Sequence, residues 1–338
     1  MGARDDKAIA VWLGAVCLCI AAMVVLGGLT RLTHSGLSIT EWRPVTGWLP
    51  PLSASDWNAE FARYQESPEF QKVNSGMNVE QFKGIFWLEY VHRLVGRLTG
   101  LVFLVPFVWF IVRRRLNARQ IAIFAGILAL GGMQGVIGWY MVKSGLVDRP
   151  AVSHYRLTVH LGMAFAVYGL TFWQLLLHAG LQRRPQPLVA RLGGTLLALS
   201  ALQIVYGALV AGLHAGLFFN TFPLMNGHLV PPLMAQSPWY LNFVENPVAV
   251  QFVHRLLAFA LALIAVVLVI VARTADRVLH QAAIAALAIM AVQFGLGVAT
   301  LLFRVPVGLG VAHQFGALLL VTALLSLLFL ARPGTEVA

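Results

Sequence analysis

Glu89-Tyr90-Val91-His92-Arg93 stands near the start of one long apolar run, and Gln251-Phe252-Val253-His254-Arg255 near the start of another. In both stretches the polar residues sit at i, i+3 and i+4, so on a helix they share one face. A polar face leading into some twenty apolar residues is the pattern of a helix entering a bilayer. The two copies differ at one polar position, a carboxylate in the first and an amide in the second.

The rest of the chain has the same character. Of 338 residues, 59% are hydrophobic and 11% charged. Apolar runs recur along the whole length, which marks an all-α integral membrane protein and excludes a soluble globular domain. The net charge of +11 does not indicate nucleic acid, because the basic residues are scattered through short loops between apolar runs. Cys17 and Cys19 both fall inside the first run, at alternate positions poorly placed for a disulfide, so neither a disulfide framework nor a cysteine metal site is expected. That first run is long, lacks an evident cleavage site and reads as a retained helix.

Eight segments approach the ~20 residues that cross a bilayer. They run from Ala8 to Leu29, Ile85 to Val112, Gln120 to Val142, Arg156 to Gly180, Leu192 to Leu213, Ala249 to Ala272, Gln281 to Phe303 and Gly310 to Ala331. Arg4, Lys7, Arg113, Arg114, Arg115, Arg119, Arg183, Arg184, Arg191, Arg273, Arg277 and Arg332 all fall on one side, which the positive-inside rule makes cytoplasmic, with both termini. The long opposite loop, Thr30 to Gly84, carries Trp42, Trp48, Trp57, Phe61, Tyr64 and Phe70. This content suits a folded cap on the outer surface, although any single tryptophan also suits an interfacial belt.

The two four-helix halves resemble each other. Gly27-Gly28-Leu29 aligns with Gly207-Ala208-Leu209, His34 with His214, Glu89-to-Arg93 with Gln251-to-Arg255, Gln134 with Gln293, and His160 with His313. An even number of helices per half makes the repeat parallel. The expected architecture is therefore two parallel-repeat four-helix bundles, residues 1–184 with the outer loop 30–84, and residues 185–338.

Four of the ten histidines share one address. His92, His160, His254 and His313 each lie one to two turns inside the outer end of an even-numbered segment, roughly 5–12 Å below the boundary. A lone membrane histidine is usually a packing residue; four at matching depth, paired by a repeat, point to function. Zinc would want four ligands, and neither half offers them at this depth. A proton relay would have to continue across the inner leaflet, where no such chain exists. Two imidazoles on opposing helices fit the axial positions of a haem iron. Arg93 and Arg255 then either meet haem propionates or snorkel to the interface. Glu89 aligns with Gln251 in the repeat, so only the first site can exchange a proton there. It is the candidate for proton transfer, with a salt bridge to Arg93 as the structural alternative.

Several stretches resemble the haem A synthase family in its proteobacterial and mitochondrial branch. They are Gly27-Gly28-Leu29-Thr30-Arg31-Leu32-Thr33, Ser35-Gly36-Leu37-Ser38-Ile39, Glu41-Trp42 with Pro44-Val45-Thr46-Gly47, Pro68-Glu69-Phe70, Phe82 through Arg93, and Asn220-Thr221-Phe222-Pro223-Leu224-Met225. The resemblance implies an enzyme of the bacterial inner membrane that oxidises the C8 methyl of haem O to the formyl of haem A through hydroxylated intermediates. It implies a bound haem b held by His254 and His313 with Arg255 beside it. The substrate haem falls to His92 and His160 with Arg93, and the catalytic role to Glu89. An electron donor is required, and a haem O synthase and oxidase assembly factors are implied partners. The paired cysteine that another branch carries in the first outer loop is absent here, so no redox role is expected of that loop.

Two imidazoles on one iron leave no open position. Either one histidine withdraws during turnover or the oxidation proceeds without that position. Two other readings compete. A bis-haem electron carrier would show the same histidines without modifying either haem. A transporter would place its polar groups near the midplane, whereas here they cluster at the outer end.

Overall fold

The computed structural model describes residues 3–43, 46–146, 151–232 and 236–333. Pro44 and Val45, quoted above for the resemblance, lie outside the described residues, as does the side chain of Arg4. Among the described residues the chain forms ten α-helices and no strand. Eight are long and apolar enough to cross a bilayer: α1 (Ala3–Leu32, with the candidate span Asp6–Leu32), α4 (Val79–Val112), α5 (Ala118–Lys143), α6 (His154–His178), α7 (Pro187–Gly212), α8 (Pro247–Ala272), α9 (Arg277–Leu302) and α10 (Val307–Ala331). The protein is an all-helical, multi-pass membrane protein. The short helices α2 (Ala54–Gln65) and α3 (Pro68–Lys72) belong to the long loop after α1.

Several helices begin before their apolar runs do. Hydropathy places the second crossing at Ile85, but α4 starts at Val79 because Asn78 caps it. The Asn78 side chain accepts from Gln81 N–H at 3.0 Å, and the Gln81 side chain accepts in return from Asn78 N–H at 3.0 Å. Asn117 and Gln120 close the same box on α5, and the Asn246 and Asp276 side chains cap α8 and α9. Such caps satisfy the orphan N–H groups of a first turn that is itself polar. At the other end, His34 after α1 and His214 after α7 both have positive φ, 55° and 53°. These repeat-related histidines end their helices in the left-handed region, one of the few settings where a non-glycine residue adopts it.

Two compact units divide the chain: residues 15–167, and residues 168–338 with 1–14. In the second unit α7 packs on α8, α8 on α9, α9 on α10 and α10 on α7, which closes a four-helix ring. Its core includes Leu196, Leu261, Leu268, Leu279, Leu324 and Leu327. These residues come from the start of α7 and α9 and the later turns of α8 and α10. The densest apolar packing therefore lies at the end of this bundle opposite His254 and His313.

In the first unit the long loop is folded onto α4. Tyr64, Phe82, Phe86 and Tyr90 are buried together, with Trp57, Phe61 and Phe70 packed against them. The Tyr64 and Phe82 rings stack at 5.2 Å. Trp57 is thus part of a cap core, while Trp42 stacks on Trp139 of α5 at 5.0 Å. Aromatic burial of this kind, ~1.5–3 kcal/mol per side chain, explains why a loop this polar folds at all.

Candidate functional site

His92 lies on α4, His160 on α6, His254 on α8 and His313 on α10. Each ring rests on a glycine of the preceding membrane helix. A Cβ built on Gly27 of α1 would stand 3.3 Å from His92 Cε1, and one on Gly138 of α5 3.0 Å from His160 Cε1. In the second unit, a Cβ on Gly207 of α7 would stand 3.3 Å from His254 Cε1, and one on Gly297 of α9 2.8 Å from His313 Cε1. Without a side chain at these positions the imidazole can approach the neighbouring backbone closely. His92 and His160 lie within electrostatic range of each other, as do His254 and His313.

Four residues before three of these glycines stands a glutamine. Gln134 donates Nε2–H to the His160 carbonyl at 2.8 Å, Gln203 to the His254 carbonyl at 3.1 Å, and Gln293 to the His313 carbonyl at 2.9 Å. One helix turn thus seats the imidazole with a glycine and ties down its backbone with a glutamine. The His313 Nδ1–H also donates to the Gln293 carbonyl at 3.2 Å. That bond puts the proton on Nδ1 and leaves the lone pair on Nε2. Gln203 Nε2 stands 3.3 Å from His254 Nε2, a contact that needs Nε2 unprotonated.

Glu89 is buried and fully occupied. One carboxylate oxygen accepts from Ser38 Oγ at 2.7 Å and from Ile39 N–H at 2.8 Å. The other accepts from Arg93 Nε at 3.1 Å and Nη2 at 2.6 Å. Arg93 in turn donates to the carbonyls of Ile39 at 2.8 Å and Glu41 at 2.9 Å. The second unit repeats the arrangement with an amide. Gln251 donates to the Ala215 carbonyl at 2.7 Å and accepts from Arg255 Nη2 at 3.2 Å. Arg255 donates to the carbonyls of Phe219 and Thr221 at 2.7 and 2.8 Å. Each arginine therefore holds two alternate carbonyls of the loop that follows α1 or α7. Arg93 and Arg97 also line a cavity of about 420 Å³ in the cap, with Phe86 and Tyr90.

A second buried carboxyl lies in the cap. Glu69 accepts from Tyr64 O–H at 3.1 Å, and Asn74 donates to that hydroxyl at 2.7 Å. Burial raises its pKa to about 7; the Tyr64 bond opposes the shift, the negative Glu89 adds to it, and Arg31 opposes it.

A family model described as COX15-CtaA, cytochrome oxidase assembly protein, matches residues 10–325. The chain belongs to this family. A protein of Nitrosospira multiformis named Heme A synthase is 48% identical over 331 residues, covering 95% of this chain and 92% of that protein. One of Rhodospirillum centenum with the same name is 50% identical over 337 residues, covering 98% of this chain and 90% of its own. A third, from Paramagnetospirillum magneticum and also named Heme A synthase, is 48% identical over 329 residues.

For a COX15-CtaA chain the question is whether these residues fit a haem. Among the described residues no three or more His, Cys, Asp or Glu side chains come together to hold a bare metal ion. Two imidazoles per unit suit an iron that brings its equatorial nitrogens with it. The polar atoms around them fit too. Nδ1 of His92, His160 and His254 and Oε1 of Gln134, Gln203 and Gln293 are buried without a hydrogen-bond partner. The backbone carbonyls of Leu26 and Gln203 stand near the His92 and His254 rings without closing that bond. Such a density of unpaired buried polar atoms is uncommon away from a ligand site. The residues present fit two haems. The glycine run 131–138 reads from the sequence as a place of close helix packing or close approach of a macrocycle, but Gln203 and the contact of each glycine with a histidine ring escaped the sequence reading, although Gln134–Gly138, Gln203–Gly207 and Gln293–Gly297 share one spacing.

Proposed function

We propose that this protein is a haem A synthase, an oxidoreductase of the bacterial inner membrane that converts the C8 methyl of haem O to the formyl of haem A through hydroxylated intermediates. Each half, residues 1–184 and 185–338, is read as a four-helix bundle of a parallel repeat. His92 and His160 hold the substrate haem in the first half, and His254 and His313 hold haem b in the second. The observation that carries this reading is the pair of imidazoles seated alike in each unit of a chain whose full-length relatives are named Heme A synthase. The basic loops put both termini in the cytoplasm.

When bound, haem b supplies one-electron exchange with a donor, and haem O supplies the methyl that is oxidised. The chain's own residues do the rest. Glycine seats fix the ring planes, and the apolar helices exclude water. Arg93 and Arg255 keep the outer loops closed. Arg255 Nε has no partner among the described residues, and Arg93 uses only one Nη1 hydrogen, so both retain a donor for a propionate. Glu89, one turn from His92, accepts four hydrogen bonds. Glu89 is the group beside the substrate haem that can take up or hand on a proton, by loosening its contact with Ser38 or Arg93. Gln251 cannot do this, which assigns the chemistry to the first site and electron relay to the second.

Co-expression with a haem O synthase, followed by chromatography of extracted haems, tests the reading. Haem A or its hydroxylated precursor is the expected product in aerobic cells that express the protein well. Haem O alone would leave a bis-haem electron carrier.

A further inference from the structure

We propose that His92 is the ligand built to withdraw from the substrate haem, and that Met23 is the positioning residue that leaves it free. The inference rests on the haem reading above and starts from the one place where the glutamine pattern breaks. Gln134, Gln203 and Gln293 stand four residues before Gly138, Gly207 and Gly297 and tie down the His160, His254 and His313 carbonyls. Four residues before Gly27, the seat of His92, stands Met23.

A thioether cannot donate a hydrogen bond, and methionine adapts its shape to its surroundings. Met23, on α1, reaches α4 one turn beyond His92, where a Cβ on Gly96 would meet its Cε at 3.5 Å and its Sδ at 4.0 Å. The α1–α4 contact at this level is therefore made by a glycine of α4 and the flexible Met23 chain of α1. At the other three seats a rearrangement would break the bond from an amide to the histidine backbone. At His92 it breaks none: among the described residues no amide side chain holds its carbonyl as Gln134, Gln203 and Gln293 hold the other three. Its seat is also looser, 3.3 Å against 3.0 Å at the His160 seat of the same unit. Of the two histidines that face the substrate haem, His160 is held by Gln134 and His92 is not. The release of one imidazole that turnover can call for then falls to His92, beside Glu89.

The test is carbon monoxide binding to the purified, reduced, haem-loaded full chain. Carbon monoxide binds iron only where an axial ligand leaves. In the wild type one haem is expected to bind it and the other not. Met23→Gln should weaken that binding about three- to tenfold, the factor one net hydrogen bond supplies, with the low-spin spectrum retained. Gln203→Met should make the second haem reactive. Met23→Leu, which also lacks a donor, should behave as wild type. Unchanged binding in a fully loaded Met23→Gln protein overturns the proposal. If that variant does not load, an unreactive second haem in loaded Gln203→Met overturns it instead. A wild type in which neither haem binds carbon monoxide overturns it as well. Failure of the underlying reading looks different: His92→Ala and His160→Ala would leave haem content at wild-type level.

Discussion

Gly297→Ala is a sharp test of the seats, because the geometry ranks the four positions. The new methyl would stand 2.8 Å from His313 Cε1, against the 3.4 Å at which ordinary contact begins. His313 cannot simply slide away: its Nδ1–H is bonded to the Gln293 carbonyl at 3.2 Å, and its backbone carbonyl to the Gln293 amide at 2.9 Å. The ring must twist or α9 and α10 must part. Overpacking of this kind costs about 1–3 kcal/mol, while alanine's better helix propensity returns at most about 1 kcal/mol. The fold should therefore survive and haem affinity in the second unit should fall roughly tenfold, each 1.4 kcal/mol being about a factor of ten. Gly138→Ala, at 3.0 Å, should follow, and Gly27→Ala and Gly207→Ala, both at 3.3 Å, should be mild. Haem content of the purified variants by haemochrome spectra, with haem loss to an acceptor protein, reads the order. A Gly27→Ala protein that loses more haem than Gly297→Ala would refute the reasoning.

Glu89→Gln should keep its haem and lose conversion, since the amide can satisfy only part of the donor set around Ser38, Ile39 and Arg93 and cannot take a proton; extracted haems show it, and undiminished haem A would remove Glu89 from the chemistry. Arg93→Lys keeps the charge but not the fork that reaches Glu89 and the Ile39 and Glu41 carbonyls together. The cap should open, and limited proteolysis within residues 40–78 should accelerate several-fold, with Arg255→Lys leaving that rate unchanged. Glu69 has a folded pKa of about 7 against an ordinary 4.5, so the folded cap binds the extra proton. That contribution is fully present below about pH 4.5 and lost as pH rises to 7, with a size on the order of 3 kcal/mol. The groups facing Glu69 are Tyr64, Glu89 and Arg31. Thermal unfolding followed by tryptophan fluorescence should show a midpoint that falls over this range, and Glu69→Gln should flatten it; an equal slope in the variant would exclude Glu69 as its source.

What the sequence made legible follows the physics of each feature. A bilayer imposes its thickness on every crossing, so eight apolar runs were countable from composition alone, and α1 and α4 through α10 correspond to them. Helix starts were less legible, because Asn78, Asn117 and Asp276 cap turns too polar for a hydropathy window. The histidines stood out because an imidazole at membrane depth is costly. Their seats did not, because a glycine next to a ring is a contact between helices, and spacing along one helix does not reveal it. The repeat is what links the two. Once Gly27 and Gly207 are aligned by sequence, the structure shows both against a histidine at 3.3 Å, and every remaining difference between the halves becomes informative. Two such differences surround one imidazole: Glu89 where the other half has Gln251, and Met23 where it has Gln203. One replaces an amide by a group that can hold a proton, the other by a group that cannot hold a backbone. Both fall on His92, so the two halves differ where one haem would be changed and the other only reduced and oxidised.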